Sequence, residues 1–91
     1  SKYEGAGSDF ILIDDRTGSF DPSLVPSLCH RQKGIGADGV IILQRATYAD
    51  ARMRIFNADG SEAESCGNGL RCFVKFANDL GLSIKRIAMH D

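Results

Sequence analysis

The segment ESCGNG, residues 64–69, contains a cysteine in a setting that favours reactivity. Cys66 directly precedes a stretch with helical spacing. At a helix start the first backbone N–H groups lack intrahelical partners and the macrodipole favours negative charge, so both effects stabilise a thiolate. Cysteines in such positions have pKa values of roughly 3.5–7.5, against about 8.5 for a free thiol. Cys66 is therefore a candidate base or nucleophile, and a small buried apolar side chain is the alternative.

Two neighbouring features indicate where a ligand would bind. Gly67 and Gly69 carry no Cβ, so a carboxylate could approach the N–H groups of residues 67–69 closely, as anions do at helix N-termini. Asn57 ends a predicted strand on the same face as Ile55, which suits a ligand contact. A turn-capping role for Asn57 is the alternative.

A second glycine-rich segment, GIGADG at 34–39, fits the dinucleotide pattern G-x-G-x-x-G literally. A dinucleotide fingerprint follows a strand and opens a helix. Here a polar helical end precedes the glycines and the apolar run 40–43 follows them. We therefore predict a tight turn that leads into a strand.

Metal-binding patterns fail on spacing. Gly60 comes too early for an EF-hand loop. Cys66 and Cys72 are six residues apart, and His30 and His90 are distant from both, which does not match a zinc site. We predict no metal site and expect both histidines at the surface.

Composition limits the remaining possibilities. The chain has 91 residues, with 11 Lys and Arg against 12 Asp and Glu, which does not favour nucleic acid or an anionic membrane as partner. No apolar run is long enough to span a bilayer, and the first residues lack the core of a secretory signal. Three cysteines suit free thiols in a reducing compartment, so we expect a cytoplasmic protein in which Cys29 and Cys72 are core residues. The final residues still read as a strand, and we expect them to belong to a longer polypeptide.

The elements that must position these residues follow from periodicity. A helix is expected from Ser23, its N-cap, to Gly34, and a turn at Asp59-Gly60. Strands are expected over residues 10–13, 40–43, 51–58 and 82–89.

The longest predicted helix begins directly after Cys66. It runs from about Gly67 to Leu80, because apolar residues recur there at helical spacing, and Gly81 suits the position after its end. This helix should be largely buried.

Three segments, KYEGAGSDF, GIGADG and FNADGSEAESCGNGLRC, together resemble the N-terminal half of diaminopimelate epimerases in order and spacing. The resemblance covers essentially the whole chain. It implies an α+β fold in which a curled, mostly antiparallel sheet surrounds a central helix. Residues 1–91 would then be an N-terminal domain, itself incomplete, of a two-domain enzyme.

The resemblance implies a pyridoxal-independent epimerase, without cofactor, that interconverts LL- and meso-diaminopimelate for lysine and peptidoglycan synthesis. One cysteine removes the α-proton as a thiolate and a second delivers a proton to the opposite face. Cys66 matches the N-terminal member of that pair. The second cysteine would lie in a C-terminal domain, since neither Cys29 nor Cys72 matches it.

Three further residues match substrate contacts of the family: Asn57, Gly67 and Asn68. Ser8 stands where the family usually has a substrate-binding Asn. Because a serine hydroxyl is shorter than an amide, a racemase of another amino acid, such as glutamate, is an open alternative. A non-catalytic binding module is another. The expected partners are an amino-acid substrate and the C-terminal domain, and a homodimer is compatible with the sequence.

Overall fold

The computed structural model describes residues 1–5, 7–47, 49–64 and 67–89. A single 3-10 turn, Pro22–Leu24, leads directly into the first helix. The helices are α1, Val25–Cys29, and α2, Gly67–Asp79. The strands are β1, Lys2–Gly5; β2, Ser8–Asp14; β3, Gly39–Gln44; β4, Ala51–Asn57; β5, Glu62–Ala63; and β6, Ile87–Ala88.

The strands form one mixed sheet in the order β1-β2-β3-β4-β5, with β6 also paired to β4. In the described part of the chain, β1–β2, β3–β4 and β4–β5 pair antiparallel. The β2–β3 and β4–β6 pairs are parallel. In register, Phe10 lies opposite Gly39, and Gly39 lies opposite Asn57. The start of β2, the start of β3 and the end of β4 therefore meet at one end of the sheet.

Both faces of the sheet are covered, which explains the unbroken apolar runs in β2 and β3. Phe10, Leu12 and Ile41 pack on the face that α2 covers. Ile11 and Val40 pack on the opposite face, against the buried residues of α1. A strand buried on both faces has no polar side to alternate with its apolar one. The apolar runs at 10–13 and 40–43 are thus correctly predicted as buried strands.

The helix α2 lies on the sheet through its apolar side. Phe73 and Ala77 are fully buried, and Cys72 and Phe76 lie beside them in the same core cluster. The helix begins at Gly67 as predicted, ends at Asp79, and is followed by Gly81 at a φ of 82°. A positive φ is costly for residues with a Cβ, so glycine suits this position.

The prediction for the first helix is wrong at both ends. The helix α1 begins at Val25 without a side-chain cap; Asp21, not Ser23, caps the 3-10 turn before it, since its carboxylate accepts the N–H of Ser23. The helix α1 stops at Cys29 because His30 is extended. The following loop then folds back, and the N–H of Gly36 donates to the carbonyl oxygen of Leu28 at 3.0 Å.

The other local predictions have mixed outcomes. The GIGADG segment forms a turn that leads into β3, with Gly36 at a φ of 83°, as predicted. The Asp59-Gly60 turn is also confirmed, with Gly60 at a φ of 94°. The strand expected over 82–89 is limited to the two residues of β6, and the strands β1 and β5 were not predicted.

The predicted α+β class is confirmed, as a mixed sheet with a helix on each face. Within the described ranges, the helices are too short or too polar to cross a membrane.

Candidate active site

The start of α2 is the first component of the site. Gly67 is exposed, Asn68 is half-buried and Gly69 is buried. The N–H groups of these first residues stand at the positive end of the helix, where they lack intrahelical acceptors. Cys66, the predicted base, lies outside the described residues, so its role stays a prediction.

The β1–β2 hairpin packs directly against this helix start. A Cβ atom added to Gly5 would lie 3.2 Å from the carbonyl oxygen of Asn68 and 3.2 Å from the Sγ atom of Cys72. Such contacts are tighter than a side chain normally makes, so a glycine allows this close approach. Gly5 pairs with Ser8, the first residue of β2. Ser8 is therefore the strand partner of a residue that packs against the first turn of α2.

Asn57 lies at the same end of the sheet, at the last position of β4. Its exposed side-chain amide donates to the Oγ atom of Ser61 at 3.0 Å, and its backbone N–H donates to the carbonyl oxygen of Ser61 at 2.8 Å. These are the contacts of a turn-capping asparagine, the alternative raised by the sequence. A substrate contact through Asn57 stays a prediction.

A charged network missed by the sequence reasoning borders Ser8. The Arg31 guanidinium donates to the Asp9 carboxylate and to the Asp38 carboxylate, each at 3.0 Å. Lys2 adds a 3.3 Å ion pair to Asp9. The hydrogen bond from Arg31, and then that from Lys2, hold the pKa of Asp9 below its ordinary value. An available signal was the acidic residue that stands shortly before each of the apolar runs of β2 and β3.

A cavity of about 720 Å³ lies between β1 and α2. Tyr3, which lies in its wall, donates a hydrogen bond to Asp79. The cavity is lined by residues 1–5 and by Arg71, Cys72, Lys75 and Asp79. Ser8, Asn57, Gly67 and Asn68 are not in this lining.

The cysteines and the histidine singled out by the sequence, other than Cys66 and His90, are either buried in the core or hydrogen-bonded within a loop. Cys29 and Cys72 are buried as predicted, and burial raises the pKa of the Cys29 thiol, so it stays protonated near neutral pH. His30 is exposed, as expected, and its Nδ1 atom accepts the N–H groups of Gln32 and Lys33. His90 is outside the described residues. In the ranges the structure describes, no cluster of His, Cys, Asp or Glu is arranged to hold a metal.

This geometry defines an α+β domain in which the β1–β2 hairpin, the end of β4 and the start of α2 meet at one end of a mixed sheet. The family model for diaminopimelate epimerase matches residues 1–90. The chain belongs to the diaminopimelate epimerase family.

Individual relatives agree with the family match. The chain is 55% identical over 86 residues to a diaminopimelate epimerase of a Synechococcus species, which covers 89% of the chain and 30% of the relative. It is 49% identical over 86 residues to the Caldanaerobacter subterraneus enzyme of that name, covering 94% of the chain and 31% of the relative. A Synechocystis relative of the same name is 53% identical over 96 residues, covering 99% and 34%. The chain thus spans about a third or less of these curated relatives.

Proposed function

We propose that these residues are the N-terminal domain portion of a pyridoxal-independent epimerase that interconverts LL- and meso-diaminopimelate. Two findings support this: membership of the family, and the packing of the β1–β2 hairpin against the start of α2. The second is the observation that carries the proposal. Ser8 pairs with Gly5, which packs against the helix start, and the backbone amides there would suit a carboxylate.

In the proposed reaction, the thiolate of Cys66 removes the α-proton of the substrate. The C–H bond breaks, an S–H bond forms, and the electron pair left on the α-carbon is delocalised into the carboxylate. A second cysteine, in a C-terminal domain, donates its thiol proton to the opposite face and is left as the thiolate. Each turnover inverts the α-carbon and moves the thiolate from one sulfur to the other.

The start of α2 would serve both the base and the substrate. The N–H groups of Gly67 and Asn68 would bind the α-carboxylate, where negative charge grows as the proton leaves. The same orphan N–H groups and the helix macrodipole would keep Cys66 ionised. Asn57 and Ser8 would contact the rest of the substrate from the sheet end.

The remaining expectations are part of the proposal. The complete domain would have its sheet curled around α2 as a central helix. The enzyme would act in the cytoplasm, in lysine and peptidoglycan synthesis, without a cofactor. It would bind neither nucleic acid nor membrane, and a homodimer is compatible with it.

Ser8 supports one alternative, a racemase acting on another amino acid such as glutamate. Ser8 is half-buried at the start of β2, and a hydroxyl reaches less far than the amide of the family's usual Asn. A site enlarged there would bind diaminopimelate less selectively. A non-catalytic module that keeps the fold is the second alternative.

The test is deuterium incorporation at the α-carbon, followed by NMR in D2O with the full-length protein. Diaminopimelate and glutamate are supplied in parallel. General acid–base catalysis contributes roughly 10²–10⁴-fold, so Cys66→Ala should lose about that factor in the rate of exchange. Cys29→Ala is the matched control because it removes a buried thiol, and it should retain most of the activity.

The outcomes separate the proposals. Exchange into diaminopimelate that is lost only in Cys66→Ala supports the epimerase. Exchange only into glutamate supports the racemase. Full activity in Cys66→Ala, or no exchange into either compound by folded and reduced protein, refutes a catalytic role for Cys66.

A further inference from the structure

The charged network next to Ser8 has a geometry that goes beyond surface ion pairing. Asp38 makes two hydrogen bonds with the backbone of Asp9. The N–H of Asp9 donates to the Oδ2 atom of Asp38 at 2.9 Å, and the N–H of Asp38 donates to the carbonyl oxygen of Asp9 at 3.0 Å. The regular β2–β3 pairing begins one residue later, at Phe10 and Gly39. The Asp38 carboxylate thus acts as an acceptor that extends the β2–β3 ladder to Asp9.

Arg31 locks this arrangement. One guanidinium donates through one NH group to Asp9 and through the other to Asp38, so its positive charge lies between the two carboxylates and lessens their repulsion. A planar fork suits such bridging better than the point charge of a lysine. We call Asp9, Arg31 and Asp38 the Asp9 clamp.

The loop that presents the clamp is itself tightly held against α1. The N–H of Gly36 bonds to the Leu28 carbonyl oxygen at 3.0 Å, and that of Ala37 to the Cys29 carbonyl oxygen at 3.3 Å. A Cβ atom at Gly34 would lie 2.1 Å from the carbonyl oxygen of Ser27, so no side chain fits there. Arg31 and Asp38 therefore contact β2 from a loop that is closely packed against α1.

The clamp fixes the peptide unit that joins Ser8 to Asp9. On the other side, Ser8 pairs with Gly5, which packs against the helix start. The backbone of Ser8 is thus flanked by two supports. Exposed ion pairs contribute little to stability, and the side chains of Arg31 and Asp38 are 56% and 46% exposed. The main consequence of these ion pairs is therefore that they restrain the backbone of Ser8, and not that they add to the stability of the fold.

We propose that Arg31 and Asp38 are positioning residues, which set substrate affinity by holding the backbone of Ser8 in place at the start of β2. This inference rests on the proposed function, in which Ser8 contacts the substrate. Neither residue touches the substrate in this proposal; both act through Ser8.

The kinetic test uses Arg31→Gln in the full-length enzyme with diaminopimelate. Displacement of a supporting group by about 1 Å can cost up to about 100-fold, so we expect KM to rise by roughly tenfold while kcat changes less than about twofold. Arg31→Lys should give an intermediate rise, since it keeps the charge and loses the fork. Arg16→Gln is the matched control: Arg16 makes a similar two-pronged contact with Asp14, at 2.8 and 2.7 Å, at the opposite end of β2. Its KM should not change.

A double-mutant cycle separates positioning from general stability. In the Ser8→Ala background, Arg31→Gln should raise KM by less than about twofold, because the group it positions is gone. An equal rise with and without Ser8, an equal rise in Arg16→Gln, or an unchanged KM in Ser8→Ala would each overturn the proposal.

A second readout does not depend on activity. We expect amide hydrogen exchange at Asp9 to become about tenfold faster in Arg31→Gln and in Asp38→Ala, and to be unchanged in Arg16→Gln. Unchanged exchange in the clamp variants would overturn the clamp whatever the enzyme does. Failure of the wild-type protein to act on diaminopimelate would refute the proposed function, and with it the role of the clamp in affinity, even if the exchange result showed that the clamp holds the backbone.

Discussion

Gly67 and Gly5 lie near the same helix start but have opposite surroundings. Apart from its chain neighbours and the backbone of its own helix, no described residue lies within 4 Å of a Cβ atom added to Gly67, and its φ is not in the left-handed region. At Gly5 such an atom would be 3.2 Å from two atoms of α2. Gly5 is therefore required by packing, whereas the space beside Gly67 is open for a ligand.

Gly67→Ala tests whether the substrate carboxylate occupies that space. The variant should keep its stability or gain slightly, since alanine favours helices over glycine by up to about 1 kcal/mol. If the carboxylate approaches the N–H of Gly67, the added methyl group should raise KM for diaminopimelate by about tenfold or more, a loss of about 1.4 kcal/mol. Steady-state kinetics and thermal denaturation measure the two effects.

Gly5→Ala provides the contrast for this prediction. Its methyl group would press on the Asn68 backbone and the Cys72 sulfur, so it should lower the melting temperature. An unchanged KM in Gly67→Ala would contradict carboxylate binding at this amide.

Single residues differ in how well the sequence revealed their roles. The burial of Cys29 and Cys72 was predictable, because a free cysteine within apolar periodicity is usually core. Asn57 was left between two roles because a strand-ending asparagine suits both. The place of Arg31 in the Asp9 clamp was not predictable, since Asp9 and Arg31 are 22 positions apart and meet only through the fold that pairs β2 with β3.

At the scale of elements, α2 depends on Phe73 for its attachment to the sheet. Phe73 is fully buried, in the same cluster as Leu12 and Met53. Phe73→Ala should lower the free energy of unfolding by roughly 3–5 kcal/mol. That is a large share of the roughly 5–15 kcal/mol that stabilises a typical domain.

Chemical denaturation of the full-length protein measures this loss. Asn78→Ala, at an exposed position of the same helix, is the control and should change stability by less than about 0.5 kcal/mol. Similar losses in the two variants would show that α2 is not anchored through Phe73.

How well each element could be predicted depended on its length and on which of its faces are buried. The strands β2, β3 and β4 and the helix α2 have enough apolar residues for their periodicity to be read. Phe56 lies on the same side of β4 as Arg52 and Arg54, and it is nevertheless buried because the α1 side of the sheet is covered as well. The strands β5 and β6 have two residues each, too few for any pattern.

At the scale of the whole molecule, several carboxylates link pH to stability. Arg31 and Lys2 lower the pKa of Asp9, and Arg16 lowers that of Asp14. The N–H groups of Lys85 and Arg86 lower the pKa of Asp50. A carboxylate whose pKa is lower in the folded state stabilises the fold above its unfolded pKa of about 3.9, and this contribution is lost as the pH falls through the folded value.

We therefore expect the melting temperature to fall as the pH is lowered from about 5 to 3. Thermal denaturation followed by circular dichroism across this range is the measurement. Asp50→Asn should show a weaker acid dependence, since the amide oxygen can still accept the two N–H groups but does not titrate. A melting temperature that rises on acidification would contradict these pKa directions.

The family resemblance supplied the α+β class, which the fold confirms. The mixed sheet was not accessible from the sequence, because strand pairing depends on contacts that local periodicity does not encode. The family resemblance supplied the expectation of a mostly antiparallel sheet, and the parallel pairing of β2 with β3 reflects the connection through α1 that separates them.

That parallel pairing also has a consequence during synthesis on the ribosome. The strand β2 can pair with β1 as soon as both have emerged, but its other edge cannot pair until residues 15–38 and β3 have followed. At about 5–20 residues per second, the edge of the run Phe10 to Ile13 that β3 will cover stays unpaired for a few seconds in each nascent chain. We expect chaperones to bind, or aggregation to start, at this open edge during that interval.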